Sequence, residues 1–90
     1  MKLFSITYDL KLPGRNYSDL YDAIRDLGET QHPLESTWVV KVGDSITVDT
    51  VSEKLHSIID ERDSLFVVDI TNSQYQGWLP RSFWEWIKIR

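Results

Sequence analysis

Hydrophobic and polar positions alternate at the start of the chain. Phe4, Ile6, Tyr8 and Leu10 fall on one side of an extended segment, and Leu3, Ser5, Thr7 and Asp9 fall on the other. The first set suits a face covered by helices. The second is semi-polar and suits a face that is wet or meets a partner. After the turn signal Pro13-Gly14 the period changes. Tyr17, Leu20, Tyr21, Ile24 and Leu27 recur at helical spacing, which predicts a helix over 17–27. Asn16 is its expected N-cap, Asp19 sits in its first turn and Gly28 comes just past its end. Residues 29–34 are polar and contain Pro33, so they are expected to form only a short edge strand. Thr37, Trp38, Val39, Val40, Lys41 and Val42 are mostly β-branched or aromatic, as a central strand should be.

The second half continues the plan. Thr47 can cap a further helix, with Ile46 and Val51 as a hydrophobic staple and Val48, Val51, Leu55, Ile58 and Ile59 as its apolar stripe. Residues 65–70 form the last clear strand, and residues 71–77 are polar and loop-like. In the tail, 78–90, Pro80 suits a first helical position, and Leu79, Phe83 and Ile87 are spaced by four, which predicts a short helix. The alternation Trp84, Trp86, Lys88 is the competing strand pattern.

The chain thus reads as one domain, with a core over 1–70 and the tail over 78–90. The order β-α-β-β-α-β is the ferredoxin-like plan, an α+β fold. Its antiparallel sheet carries two helices on one face, and its first and third strands are central. The other face is expected to be bare. Homodimerisation through that face, or through Trp78, Trp84 and Trp86 of the tail, is the expected way to cover it.

Composition narrows the function classes. Ten basic and fourteen acidic residues give a formal net charge of −4, which argues against nucleic-acid binding by bulk charge. It leaves room for a local basic patch of Lys11, Arg15 and Lys41. The absence of cysteine excludes a disulfide framework, a thiolate metal site and a cysteine nucleophile. No apolar run suits a signal peptide or a membrane span, so a cytoplasmic protein is expected. No P-loop, dinucleotide fingerprint, zinc pattern or nucleophile elbow is present, and no small-molecule cofactor is expected.

Asp9 is the first candidate for chemistry. A carboxylate at the end of a rigid strand, beside a flexible turn, is a means of presenting a metal or of acting on phosphate. The fold plan places it near Glu35, Ser36 and Thr37 and away from Asp69. If two copies pack sheet to sheet about a two-fold axis, two Asp9 carboxylates can share one Mg²⁺. The plain alternative is an aspartate that caps the adjoining turn. Ser36 and Thr37 can bind phosphate or simply start a strand. Arg15 can grip a phosphate in bidentate fashion or stand in solvent. His32 is a candidate base, His56 has no evident role, and the tail tryptophans can stack on bases or pack on the chain itself.

Three segments carry a family resemblance: Phe4-Ser5-Ile6-Thr7-Tyr8-Asp9-Leu10, the helix end Leu27-Gly28, and the run from Gln31 to Val40. Together they resemble the second CRISPR-associated protein, the small subunit of the spacer-integration complex, and its relatives the virulence-associated protein D toxins. The run from Asp9 to Tyr17, the segment Leu34-Glu35-Ser36-Thr37-Trp38 and the tail Gly77-Trp78-Leu79-Pro80 look closer to small bacterial proteins labelled SinR-like. The resemblance implies a ferredoxin-like homodimer acting on RNA or DNA, either as a metal-dependent endonuclease or as a non-catalytic scaffold. In the first case Asp9 matches the metal-binding, catalytic aspartate. Ser36 would assist it, and Lys11, Arg15 and Thr37 would contact nucleic acid. The chain departs from the family in an acidic first helix (Asp19, Asp22, Asp26), in Pro33 on the edge strand and in a tryptophan-rich tail.

Overall fold

Seven elements run in the order β-α-β-β-α-β-α: β1 (Lys2–Asp9), α1 (Ser18–Arg25), β2 (Glu29–Leu34), β3 (Thr37–Val42), α2 (Val48–His56), β4 (Ser64–Asp69) and α3 (Arg81–Lys88). The structure is a computed structural model, and it describes residues 1–12 and 17–89. The expected N-cap Asn16 and the turn residues Pro13, Gly14 and Arg15 lie outside the described residues.

The four strands form one sheet in the order β2-β3-β1-β4, with every neighbouring pair antiparallel. β1 and β3 are therefore central. The period-2 pattern of β1 explains its position. Phe4, Ile6 and Tyr8 face α1 and α2 in the larger core with Leu20, Ile24, Val40, Val42, Val51 and Leu55. Phe4 and Ile6 are fully buried, and each such side chain contributes about 1.5–3 kcal/mol relative to exposure. The edge strand β2 slips register against β3 between Gln31 and Leu34, around Pro33, which cannot donate to the ladder.

Helix α1 is shorter than the predicted 17–27. Leu27 N–H turns back to the Ile24 carbonyl at 3.1 Å, a tightened last turn that ends the helix. Gly28 then runs directly against β3, where a Cβ would overlap the Lys41 carbonyl oxygen. Glycine is required here by close approach of two backbones. Helix α2 begins as its cap predicts, with Thr47 Oγ1 accepting from Thr50 N–H at 3.2 Å.

The tail is a helix, and it changes one expectation. The second sheet face is not bare: α3 lies on it. Phe83 and Ile87 are buried against Leu3 and Val39, with Leu79, Trp84 and Trp86 packed around them. The four-residue spacing that makes α3 a helix also supplies the stripe that a sheet face can accept. Lys41 is corrected for the same reason. It pairs with Leu3, at the far end of β1 from Lys11, and is only 3% exposed. Its ammonium lies 4.3 Å from the Trp86 ring centroid, so it belongs to a cation–π contact and not to a surface basic patch.

α3 covers only part of the face. Beyond it, one row of side chains crosses all four strands: Leu34 pairs with Thr37, Thr37 with Thr7 and Thr7 with Phe66. The two threonine hydroxyls meet at 3.3 Å, while Phe66 is 69% and Leu34 54% exposed.

Phe83→Ala should lower unfolding stability by about 3 kcal/mol or more, because it empties the small core beneath α3. Gly28→Ala should cost about 1–3 kcal/mol through the backbone clash. Gly77→Ala, where a Cβ meets nothing within 4 Å, should leave the urea midpoint unchanged. Equilibrium urea unfolding of the three variants checks this ranking.

Candidate functional site at the end of β1

The sequence candidates meet where β1 ends beside the β2–β3 turn. Tyr8 N–H donates to the Ser36 carbonyl at 3.1 Å, which fixes this turn against the strand. The Tyr8 hydroxyl accepts from Trp38 Nε1–H at 2.9 Å and donates to the Glu35 carbonyl at 3.4 Å. His32 Nε2 lies 2.9 Å from the same carbonyl. A carbonyl only accepts, so His32 carries its proton on Nε2. The imidazole stacks on Trp38 with centroids 3.9 Å apart, and Tyr21 stacks on the indole at 5.9 Å. Arg25 lies 5.2 Å from the Trp38 centroid. His32 thus holds the turn and flanks the indole.

Beside this network lies an open pocket of about 260 Å³, lined by Tyr8, Asp9, Leu10, Tyr21, Glu35 and Ser36. Asp9 and Ser36 therefore share one pocket. Thr37 does not line it; its side chain pairs with Thr7 in the row across the sheet. Asp69 pairs with Phe4, far along β1 from Asp9, whose own partner on β4 is Ser64. Arg15 lies outside the described residues, and His56 is exposed at the end of α2.

The Asp9 carboxylate is held by the ammonium of Lys11 in a short ion pair. The hydrogen bond and the negative charge of Asp9 raise the Lys11 pKa above its ordinary value. The backbone of Lys11 is tied down as well, its N–H donating to Asp63 Oδ1 at 2.8 Å. Asp63 gathers three segments: Lys11 N–H, Asp60 N–H at 2.9 Å, and the Tyr17 hydroxyl at 3.0 Å. Burial pushes its carboxyl up, but these donors outweigh burial and leave it below the ordinary carboxylate value.

A Mg²⁺ ion requires several oxygen ligands in near-octahedral array, of which carboxylates are the protein's usual share. Among the described residues no group of three or more His, Cys, Asp or Glu side chains is placed to hold a metal ion. The one carboxylate expected to do so already carries an ammonium from its own chain. Among the described residues, a single copy thus supplies no all-protein ligand set for the ion.

The tail tryptophans divide. Trp84 stacks on Tyr75 with centroids 6.5 Å apart and meets Phe83 edge-on at 5.3 Å. Trp86 packs on Phe83 and Lys41. Both are half-buried on their own chain, whereas Trp78 is 100% exposed. The pattern does not mark Tyr8, Trp38 or Asp63 as site residues, because a strand tyrosine and tryptophan read as core and an aspartate in a charged exit reads as solvated. No helix of the described residues is long and apolar enough to cross a membrane.

No family model and no curated protein matches this chain. Among solved structures, it is similar to a hypothetical protein, TT1823, from Thermus thermophilus. The likeness has a TM-score of 0.62 at 16% sequence identity, and covers 88% of this chain and 94% of that one. At that identity the likeness is one of fold.

Two pH effects are expected. Burial raises the Tyr8 pKa to about 12, opposed in part by the Trp38 N–H bond. An unfolded tyrosine ionises near pH ~10, so this group's stabilisation is complete below that pH and is lost as pH rises toward about 12. Tyr8→Phe should remove that alkaline loss and, by leaving the buried indole N–H unpaired, lower stability at neutral pH by about 1–3 kcal/mol. At the acid end the depressed Asp63 carboxyl stabilises above the ordinary carboxylate range and ceases to as pH falls through its folded value. Asp63→Asn should therefore flatten the acid limb of the stability curve. Urea midpoints measured across pH for the wild type and both variants check the two signs.

Proposed function

We propose that this chain is a ferredoxin-like homodimeric interaction module, the non-catalytic kind within the superfamily it resembles, with α3 as an addition to the six-element plan. The strand order β2-β3-β1-β4 and the two helices packed on one face support the ferredoxin-like reading. The observation that carries the functional reading is the exposed row Leu34, Thr37, Thr7 and Phe66 on the part of the face beside α3. Leu34 and Phe66 are exposed at the two edges of this row, with Thr37 and Thr7 between them, and exposed apolar side chains on one sheet face are a feature of contact surfaces. Asp9 in this reading is structural. It fixes Lys11, whose backbone Asp63 holds, and so sets the direction in which the chain leaves β1.

A second reading, a metal-dependent endonuclease on RNA or DNA, is favoured by the shared pocket of Asp9 and Ser36. It requires Asp9 to release Lys11 and to find further ligands outside its own copy. Lys11, Arg15 and Thr37 would then contact nucleic acid. The acidic helix α1 and the net charge of −4 favour the module.

Purified protein incubated with labelled RNA and DNA, with Mg²⁺, with Mn²⁺ and with EDTA, separates the two. The module predicts no metal-dependent cleavage and the same background for Asp9→Ala. Cleavage that needs metal and disappears in Asp9→Ala would establish the nuclease instead. Sedimentation should show a dimer that Phe66→Ser weakens.

A further inference from the structure

We infer that α3 is a releasable cap, which undocks from the sheet as one unit while the four strands and the larger core stay folded. The chain is fastened to the sheet as far as Ser73. Ile70 N–H donates to the Leu3 carbonyl at 2.8 Å, Leu3 N–H donates to Thr71 Oγ1 at 3.0 Å, and Ser73 N–H donates to the Ile70 carbonyl at 3.2 Å. Beyond that point the fastening ends. Residues 74–78 are exposed, and among the described residues no hydrogen bond joins residues 74–89 to the sheet. The bonds there are local, such as Gly77 N–H to the Gln76 side chain and Phe83 N–H to the Pro80 carbonyl. α3 is therefore held by side-chain packing, chiefly of Phe83 and Ile87 on Leu3 and Val39. That cluster shares no residue with the core under α1 and α2. Undocking breaks no strand pairing and opens no part of the larger core, so the segment can open by itself.

Lys41 limits how firmly the cap is held. Its side chain is almost wholly removed from water, and among the described residues no carboxylate pairs with it. The Trp86 ring offsets part of the cost of taking the ammonium out of water. Opening returns that ammonium to water and so offsets part of the apolar contact that is lost. The released helix has eight residues, too few to persist alone in water, so the open segment also regains chain entropy. The strand register defines what is uncovered. Next to the exposed row through Thr37 and Thr7 lies a row through Val39 and Ser5, and after it one through Lys41 and Leu3. α3 packs on Val39 and Leu3, and Trp86 on Lys41. The cap thus sets how much of the sheet face is available. That regulatory role rests on the module reading, whereas the undocking depends only on how α3 is attached.

Amide hydrogen exchange of the full chain in rising, sub-denaturing urea tests this. The α3 amides should be protected about 100-fold less than those of β1 and β3, with a shallower urea dependence, because opening exposes little surface. Lys41→Met should raise α3 protection about 10-fold, since no charge is then held out of water. Trp86→Leu should lower it about 10-fold, and by less in the Lys41→Met background, where no ammonium remains for the ring to cover. α3 amides that share the protection and urea dependence of β1 overturn the cap. Unchanged or lower α3 protection in Lys41→Met overturns the role given to Lys41. Phe66→Ser, on β4 and outside the cluster beneath α3, separates the cap from the homodimer, because α3 should open in it as in the wild type. Such opening in a wild type that sediments as a monomer contradicts the homodimer and upholds the cap.

Discussion

Strand β1 is the constraint on which the structure depends. It is flanked by β3 and β4, covered on one face by α1 and α2, and covered on the other by α3 for only part of its length. Its alternating side chains must therefore satisfy two cores at its start and one core plus an open surface at its end. Leu3 and Phe4 meet the first demand, both fully buried on opposite faces. Thr7 and Asp9, both exposed, meet the second. A register slip of one residue would place Thr7 and Asp9 under α1 and α2 and turn Phe4 and Ile6 outward, which is why the pairing of β1 is so strongly specified.

That placement also organises the end of β1. Tyr8 points into the larger core, so its hydroxyl needs partners in a dry environment, and Trp38 and the Glu35 carbonyl supply them. Those bonds clamp the β2–β3 turn onto β1 and bring Ser36 beside Asp9. The arrangement looks catalytic in outline, but its charges are already matched: Lys11 on Asp9, and backbone and phenolic donors on Asp63. Such matching ties the chain leaving β1 to the residues around Asp63. The unmatched features are apolar, and they lie on the sheet face beside α3.

Much of the fold is legible in the sequence. The period-2 pattern of residues 2–10, the cap at Thr47 and the demotion of residues 29–34 by Pro33 each rest on a local rule that tertiary packing does not override, whereas α1 ends at Arg25 and Gly28 serves the close approach to β3. The choices that packing makes are less legible. The spacing of Leu79, Phe83 and Ile87 indicates a helix but not which surface it covers, so the sequence alone leaves the second sheet face bare. Lys41 reads as a surface cation because lysines usually are. Its burial depends on Trp86, far along the chain, arriving over it. For the site, the neighbourhood of Asp9 is implied by strand order, whereas its ion pair with Lys11 depends on how the chain leaves the strand. The separate fates of Trp78, Trp84 and Trp86 depend on the face each residue takes on or before α3.

In the proposed reading, function belongs to the partly covered sheet face, and the pocket of Asp9 has a structural task. Nuclear magnetic resonance of the labelled chain across a dilution series tests that assignment residue by residue. Concentration-dependent shifts are predicted at Thr7, Leu34, Thr37 and Phe66, and Asp9, Lys11, Tyr21 and Ser36 should stay still. Shifts centred on Asp9, Tyr21 and Ser36, with a silent Phe66, would contradict it.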